Sequence, residues 1–484
     1  MFRDIESLVL GRGRRTGHPF HLADRSVRSM SAPLLLLVAA LAVAFLLLLV
    51  MRLRMHAFVA LLAASVFVAV AGGVPLRDVA RTIQDGMGGT LGFIALVVGL
   101  GAMFGELLAV SGGADGLARA LIRVCGEKRA PWALGLTGFL VSIPVFFDVG
   151  LIILLPLARG LSRRTGKSLL CYALPLGAGL AIGHSFVPPT PGPVAVAAML
   201  KADLGWVILF GSICGLVALA GGGFWFCARA ADRIGTMAGD AGGAWPAGED
   251  DKPENHQTIR APGVAVVVGL ILLPLVLILL HTATTAALPE RHFARDFFAL
   301  AGHPFFALLL TVVLSFVFLG TRCGFSRQQV REIASRSLEP VGLILLVTGA
   351  GGVLGKTLVA TGVGKALADG LATTHLPLMA LAFLIAVLVR VSQGSATVAM
   401  VTAAGLVQPV VEAVPVSQPR LALLVVAIAS GATVLSHVND SGFWLVSRYL
   451  GLSERDTLRS WTVLETILGG VGFLAALGLS WVVP

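Results

Sequence analysis

The sequence predicts an all-α polytopic membrane protein, and three observations carry that prediction. Of 484 residues only 13% are charged, about half the ~25% of a soluble domain, while AVILMFWYC supply 56% and mean hydropathy is +0.90. Apolar stretches of about 20 residues, the length a helix needs to cross hydrocarbon with its backbone bonded internally, recur along the chain. Glycine reaches 58 residues, about 12% against a usual ~7%, as expected where helix backbones approach closely or helices are interrupted. A water-soluble protein is excluded.

The stretches fall near 33–51, 56–74, 91–111, 132–158, 168–187, 205–227, 262–281, 303–320, 340–360, 376–391, 396–414, 420–437 and 463–482, roughly a dozen crossings. The segment 230–260, containing AGEDDKPENHQ, is the plainly polar linker, so the chain reads as a first membrane half (30–229) and a second (261–484). Residues 1–29 carry six Arg and three acids without an apolar core and precede Met30, where the first hydrophobic run opens. They are expected to be a disordered basic tail or the product of an upstream start codon, and the orientation of the N-terminus depends on which.

The formal charge of +10 is spread over short loops rather than a basic stripe, which fits membrane-loop bias and excludes a nucleic-acid partner. The five cysteines, at 125, 171, 214, 227 and 323, show no CxxC or Cys/His spacing and are expected to be reduced packing residues.

An internal repeat appears when the chain is shifted by 250 residues, which lays LGFIALVVGLGAMFGELLAVSGGADGLARAL (91–121) on VGLILLVTGAGGVLGKTLVATGVGKALADGL (341–371). Gly92, Gly99, Gly101, Gly105 and Gly112 all meet glycines. Two related halves are a mark of transporters whose substrate site lies where the repeats meet.

Function is then expected where hydrophobic segments are interrupted, since unwound backbone is tolerated in a membrane only where it lines a cavity. Four interruptions stand out: SIPVFFDVG (142–150), GHSFVPPTPGP (183–193), RVSQGSATVAM (390–400) and SHVNDSGFW (436–444). Asp148 sits among Phe146, Phe147 and Val149, where an ionised carboxylate costs several kcal/mol unless paired, so it is the first candidate for proton coupling. The structural alternative is a carboxylate that caps a broken helix. His184 and His437, 253 residues apart, titrate in the range of a proton gradient and suit a proton relay or a substrate hydroxyl, with a buried neutral imidazole as the alternative.

The prolines around Pro188, Thr190 and Gly192 break the helix, and a helix restarting after such a break offers free N–H groups to an anion. The same reasoning covers Gln393, Gly394, Ser395 and Thr397, although a reentrant hairpin that merely packs is the competing reading. Arg390 is placed to grip a carboxylate with its fork or to snorkel to the interface. Asn439 and Asp440 complete the last break, Asp440 as a rival to Asp148 for the proton. Glu106 and Lys356 occupy equivalent repeat positions and are a candidate pair. Trp461, Thr462 and Glu465 are read as anchors of the final span. No metal site or other cofactor is expected.

At these residues the sequence resembles the gluconate permease family of proton symporters. The resemblance rests on GGTLGFIALVVGLGAMFG, FFDVGLIILLPL, HSFVPPTPGP, KADLGW, QGSATVA, SHVNDSGFW and WTVLET, and runs from about residue 34 to the C-terminus. It implies two inverted repeats with broken helical hairpins, and uptake across the bacterial inner membrane. Thr190 stands where family members often read His, and FFDVG and VTGAGGVLGK look more like the D-serine permease branch.

The function expected is import of gluconate or a related small hydroxylated monocarboxylate with protons. Asp148, His184 and Asp440 are the proton-coupling candidates. His184, Pro188, Thr190, Gly192, Arg390, Gln393, Gly394, Ser395, Thr397, His437, Asn439 and Asp440 are the substrate-binding candidates. A D-serine-type symporter is the alternative, and an intramembrane hydrolase is more remote because GxSxG and HExxH are absent. The partners are the carboxylate, the lipid bilayer and, as an open option, further copies of the chain.

Overall fold

The computed structural model describes residues 30–234, 260–363, 366, 369 and 377–483; the N-terminal tail, most of the polar linker and the distal part of the second repeat motif lie outside the described residues. The first half runs through α1 (Ala32–Leu47), α2 (Ala57–Ala71), α3 (Leu76–Val110), the amphipathic α4 (Gly113–Cys125), α5 (Ala130–Val141), α6 (Phe147–Thr165), α7 (Leu170–Phe186), α8 (Pro191–Leu200), α9 (Leu204–Ala218) and α10 (Phe224–Ile234). The second comprises α11 (Val264–Ala287), α12 (Phe293–Ala301), α13 (Pro304–Ser315), α14 (Arg327–Arg336), α15 (Glu339–Ala360), α16 (Leu378–Gln393), α17 (Ala396–Ala413), α18 (Gln418–Thr433), α19 (Ser441–Leu450) and α20 (Val463–Ser480). No strand occurs among the described residues, and nine helical stretches are long and apolar enough to cross a membrane.

Two expected spans are corrected. The stretch 132–158 is two helices, α5 and α6, because Pro144 withholds a backbone donor and the chain turns at 142–146. Helix α3 begins at Leu76, well before 91, since LRDVARTIQDGMGGT is too polar to register as hydrocarbon-spanning yet continues the helix. The four expected interruptions are real breaks: 142–146 between α5 and α6, 187–190 between α7 and α8, 394–395 between α16 and α17, and 434–440 between α18 and α19.

The 250-residue shift matches α2 to α13, α3 to α15, α5 to α16, α6 to α17, α7 to α18, α8 to α19 and α9 to α20. Packing between the halves follows the same exchange. Helix α3 packs on α13 while α15 packs on α2, α8 packs on α17 while α19 packs on α6, and α9 packs on α18 while α20 packs on α7. Matching elements also meet each other, α3 with α15, α7 with α18 and α9 with α20. This reciprocal exchange is the pattern that a twofold relation between the halves would give, and it is consistent with inverted repeats.

Small residues let the inner helices touch. A Cβ on Gly179 of α7 would lie 1.9 Å from the Gly135 carbonyl oxygen of α5, so those backbones are in direct contact. Large apolar side chains point outward instead, as Leu209, Ile213 and Val217 do on α9 and Val276 on α11, the distribution lipid requires. All five cysteines are free, with Cys214, Cys227 and Cys323 buried.

Candidate functional site

Three of the four breaks, at 142–146, 394–395 and 434–440, meet at a cavity of about 510 Å³. Five helices begin at its wall, α2 with His56 and Ala57 and α15 with Pro340 among them. Helix α6 contributes Phe147, Asp148 and Val149 of its first turn, α17 contributes Ala396, Thr397 and Val398 behind Ser395, and α19 contributes Ser441 and Gly442 behind Asp440. Each start leaves backbone N–H groups and a partial positive charge facing the space. Ser395 and Asp440 cap their own helices, accepting from Val398 N at 3.4 Å and Gly442 N at 3.1 Å.

Arg390, at the end of α16, is 3% exposed and does not snorkel. Its Nη2 donates to Asp440 Oδ2 at 2.5 Å and its Nη1 donates to the Gly394 carbonyl oxygen, so it ties the α16–α17 tip to the break before α19. Gly394 holds φ +79°, and a Cβ there would lie 2.1 Å from the Asn439 carbonyl oxygen, which leaves room for glycine alone. Ser436 donates to Asp440 Oδ2 and accepts from Trp461 Nε1 at 2.9 Å, while Thr462 donates to the Ser436 carbonyl oxygen. A single polar chain therefore links α20, the α18–α19 break and the hairpin tip.

Asp148 occupies the first turn of α6 and is exposed to the cavity, and the field of Asp440 reaches it. His184, in the last turn of α7, lines the wall with its ring centroid 5.9 Å from that of Phe146, edge to face, and its Nδ1 is buried without a hydrogen-bond partner. Of the residues singled out by sequence, Asp148, His184, Arg390, Ser395, Thr397 and Asp440 are thus brought together.

The others are placed elsewhere. Thr190 is buried and donates to the Val187 carbonyl oxygen at 2.7 Å, and Gly192 is packed against Met400. Pro188 stays with them in the α7–α8 break, whose restart packs on α17 instead of opening to the cavity. His437 Nε2 and Asn439 Nδ2 both contact the Val391 carbonyl oxygen, at 3.0 and 2.8 Å, and so fasten the end of α16. Gln393 is half-buried, with both amide atoms shielded and unpartnered, outside the cavity lining. No ion pair joins Glu106 to Lys356; Glu106 faces a separate space of about 80 Å³ beside Arg336 and Ser337.

Among the wall residues that the sequence reading passed over are His56 and Ser441, and two more that it treats as anchors. Trp461 and Glu465 stand four residues apart on one face of a helix and both line the cavity, with the ring centroids of Trp461 and Phe147 5.4 Å apart. The signal was present: Glu465 is the lone acid of an otherwise apolar final span.

A multi-pass helical bundle whose paired broken helices bring charged and hydroxyl side chains to a shared cavity defines a membrane permease rather than an enzyme. The chain belongs to the GntP permease family, whose model matches residues 34–483. It is 41% identical over 454 residues to the low-affinity gluconate transporter of Escherichia coli, covering 93% of this chain and 98% of that one. It is similar too, at 39% over 449 residues, to the gluconate permease of Pseudomonas aeruginosa (93% and 98% covered), and at 42% over 451 residues to the inner membrane permease YgbN of Escherichia coli (92% and 98%). The crystal structure of the Alcanivorax borkumensis YdaH transporter shares the fold, with a TM-score of 0.62 over 92% of this chain and 99% of that one at 16% identity. This chain is accordingly a multi-pass permease of the bacterial inner membrane.

Proposed function

We propose that the permease imports gluconate or a related small hydroxylated monocarboxylate together with protons. The similarity to gluconate permeases supports the substrate class, and the charge of the cavity wall supports the coupling. Asp148, Asp440 and Glu465 face the space and Arg390 is the cation among its lining residues, so with every group ionised and the histidines neutral the wall carries −2. A monoanion entering that field is repelled until protons neutralise part of it.

In this reading Arg390 and the N-terminus of α17, with Ser395 and Thr397, hold the carboxylate. Of the two aspartates Asp440 is committed to Arg390, so Asp148 is the one free to carry a coupling proton, with His184 on the same wall. The hydroxyls of the substrate meet His184 and Ser441. Gln393, Gly394, His437 and Asn439 fix the hairpin tip from behind, and Pro188, Thr190 and Gly192 shape the α7–α8 break.

The test is uptake of radiolabelled gluconate into proteoliposomes under an imposed inward proton gradient, with unlabelled D-serine, idonate and glycerate as competitors. Accumulation that collapses with the gradient is expected, as is displacement by hydroxy acids ahead of D-serine. Accumulation indifferent to the gradient would refute coupling, and preferential displacement by D-serine would refute the substrate.

A further inference from the structure

Arg390 and Glu465 each leave a buried polar atom unused. Nε of Arg390, 3% exposed, and Oε1 of Glu465, 4% exposed, have no hydrogen-bond partner, although both residues line the cavity. No ion pair joins them within 4.0 Å. A buried donor and a buried acceptor that both stay empty are a costly arrangement unless something else uses them.

The surroundings of Glu465 offer no other counter-charge. Asp440, whose field reaches Glu465 along with that of Arg390, is already occupied by Arg390, Ser436 and the Gly442 N–H. Asp148, His184 and His56 face the same space, His56 with its Nδ1 engaged in capping α2. Helices α7, α9 and α18, packed on α20, bring His184, Cys214 and Arg420, the last beside Val483 at the opposite end of α20. Arg459, in the helical turn before α20, is exposed. Arg390 is the cation within the cavity wall for which Glu465 and an incoming carboxylate would compete.

We propose that Glu465 is a proton-carrying residue whose protonation frees the unused Nε edge of Arg390 for the substrate carboxylate, an inference that rests on the proton-coupled monocarboxylate uptake proposed above. On the proton-rich side an O–H bond forms at Glu465, its charge disappears, and the substrate anion takes Arg390 Nε. On the proton-poor side that O–H bond breaks, the proton passes to water, and the Glu465 carboxylate competes with the substrate for Arg390. No electrons move. Anion and proton bind together and leave together because each weakens the case for the other's absence.

The experiment is binding of radiolabelled gluconate to the full-length protein across a pH series, for wild type, Glu465→Gln and Glu465→Asp. Whatever Asp148 contributes, loss of the Glu465 proton lowers the slope of log Kd against pH by about one, a tenfold change in affinity per pH unit. Glu465→Gln, which imitates the protonated acid, is therefore expected to bind gluconate more tightly than wild type at alkaline pH while accumulating less of it under a proton gradient. A purely structural Glu465 would not produce tighter alkaline binding. A wild-type slope in Glu465→Gln overturns the inference. If that variant fails to fold, Glu465→Asp decides: a retained slope with a displaced midpoint supports the inference, and an unmoved midpoint overturns it. A wild-type protein that binds no gluconate, or binds it without pH dependence, refutes the proton-coupled gluconate reading itself, and this inference with it.

Discussion

Arg390 and Asp440 stand 50 residues apart in the chain and 2.5 Å apart in space, one ending a helix and the other starting one. Both are buried, so neither charge is tolerable without its partner.

Removing one member should therefore cost more than removing both. Arg390→Met is expected to destabilise by about 3–5 kcal/mol, because Asp440 is left buried and unpaired. Adding Asp440→Asn, which keeps the helix cap, should recover a large part of that loss. Thermal unfolding of the purified single and double variants closes the cycle, and strictly additive shifts would show that the pair is not coupled.

Asp148 lies in the first turn of α6, is exposed to the cavity and has no role in capping. Asp148→Asn should thus cost no more than about 1 kcal/mol, the scale of a helix-dipole interaction. Its consequence should be functional: exchange of labelled gluconate persists while accumulation under a proton gradient is lost. Gradient-driven accumulation at the wild-type level would remove Asp148 from the coupling scheme.

Gly105 of α3 supports the turn before α6, since a Cβ there would lie 1.9 Å from the Pro144 carbonyl oxygen. Gly105→Ala must push that turn and displace Phe146 to Asp148. Overpacking of this kind costs about 1–3 kcal/mol, so a lower unfolding midpoint and sharply reduced uptake are expected. Gly116 has open space around it and makes the control: Gly116→Ala should leave both unchanged.

Thr190 was a candidate for substrate selection, but its hydroxyl is spent on the Val187 carbonyl oxygen at 2.7 Å and is buried. Thr190→Val should cost about 1 kcal/mol for the lost hydrogen bond and leave the ratio of gluconate to D-serine uptake where it was. A shift in that ratio would bring the α7–α8 break back into substrate recognition.

Much of the site was legible because membranes punish exceptions. Asp148, His184 and Arg390 are polar groups in apolar surroundings, and Ser395 and Thr397 mark a helix restart, so each stood out one residue at a time. Glu465 and Trp461 open the final span and from sequence read as its anchors; the packing of α20 against the rest of the bundle brings them to the cavity wall. The α7–α8 break carried the strongest sequence signal of all, four prolines in six residues, yet its restart is packed on α17.

By itself the sequence determined the bundle, its repeat and the four breaks, because an apolar backbone in hydrocarbon must bond internally and a run of prolines or of polar residues within such a stretch marks where the helix stops, whereas single prolines such as Pro175 and Pro409 stay within helices. Tertiary structure alone decided which breaks share a cavity, which acid Arg390 neutralises and which acid is left without a counter-charge. Those are properties of distances between segments far apart in the chain, and no local pattern of residues encodes them.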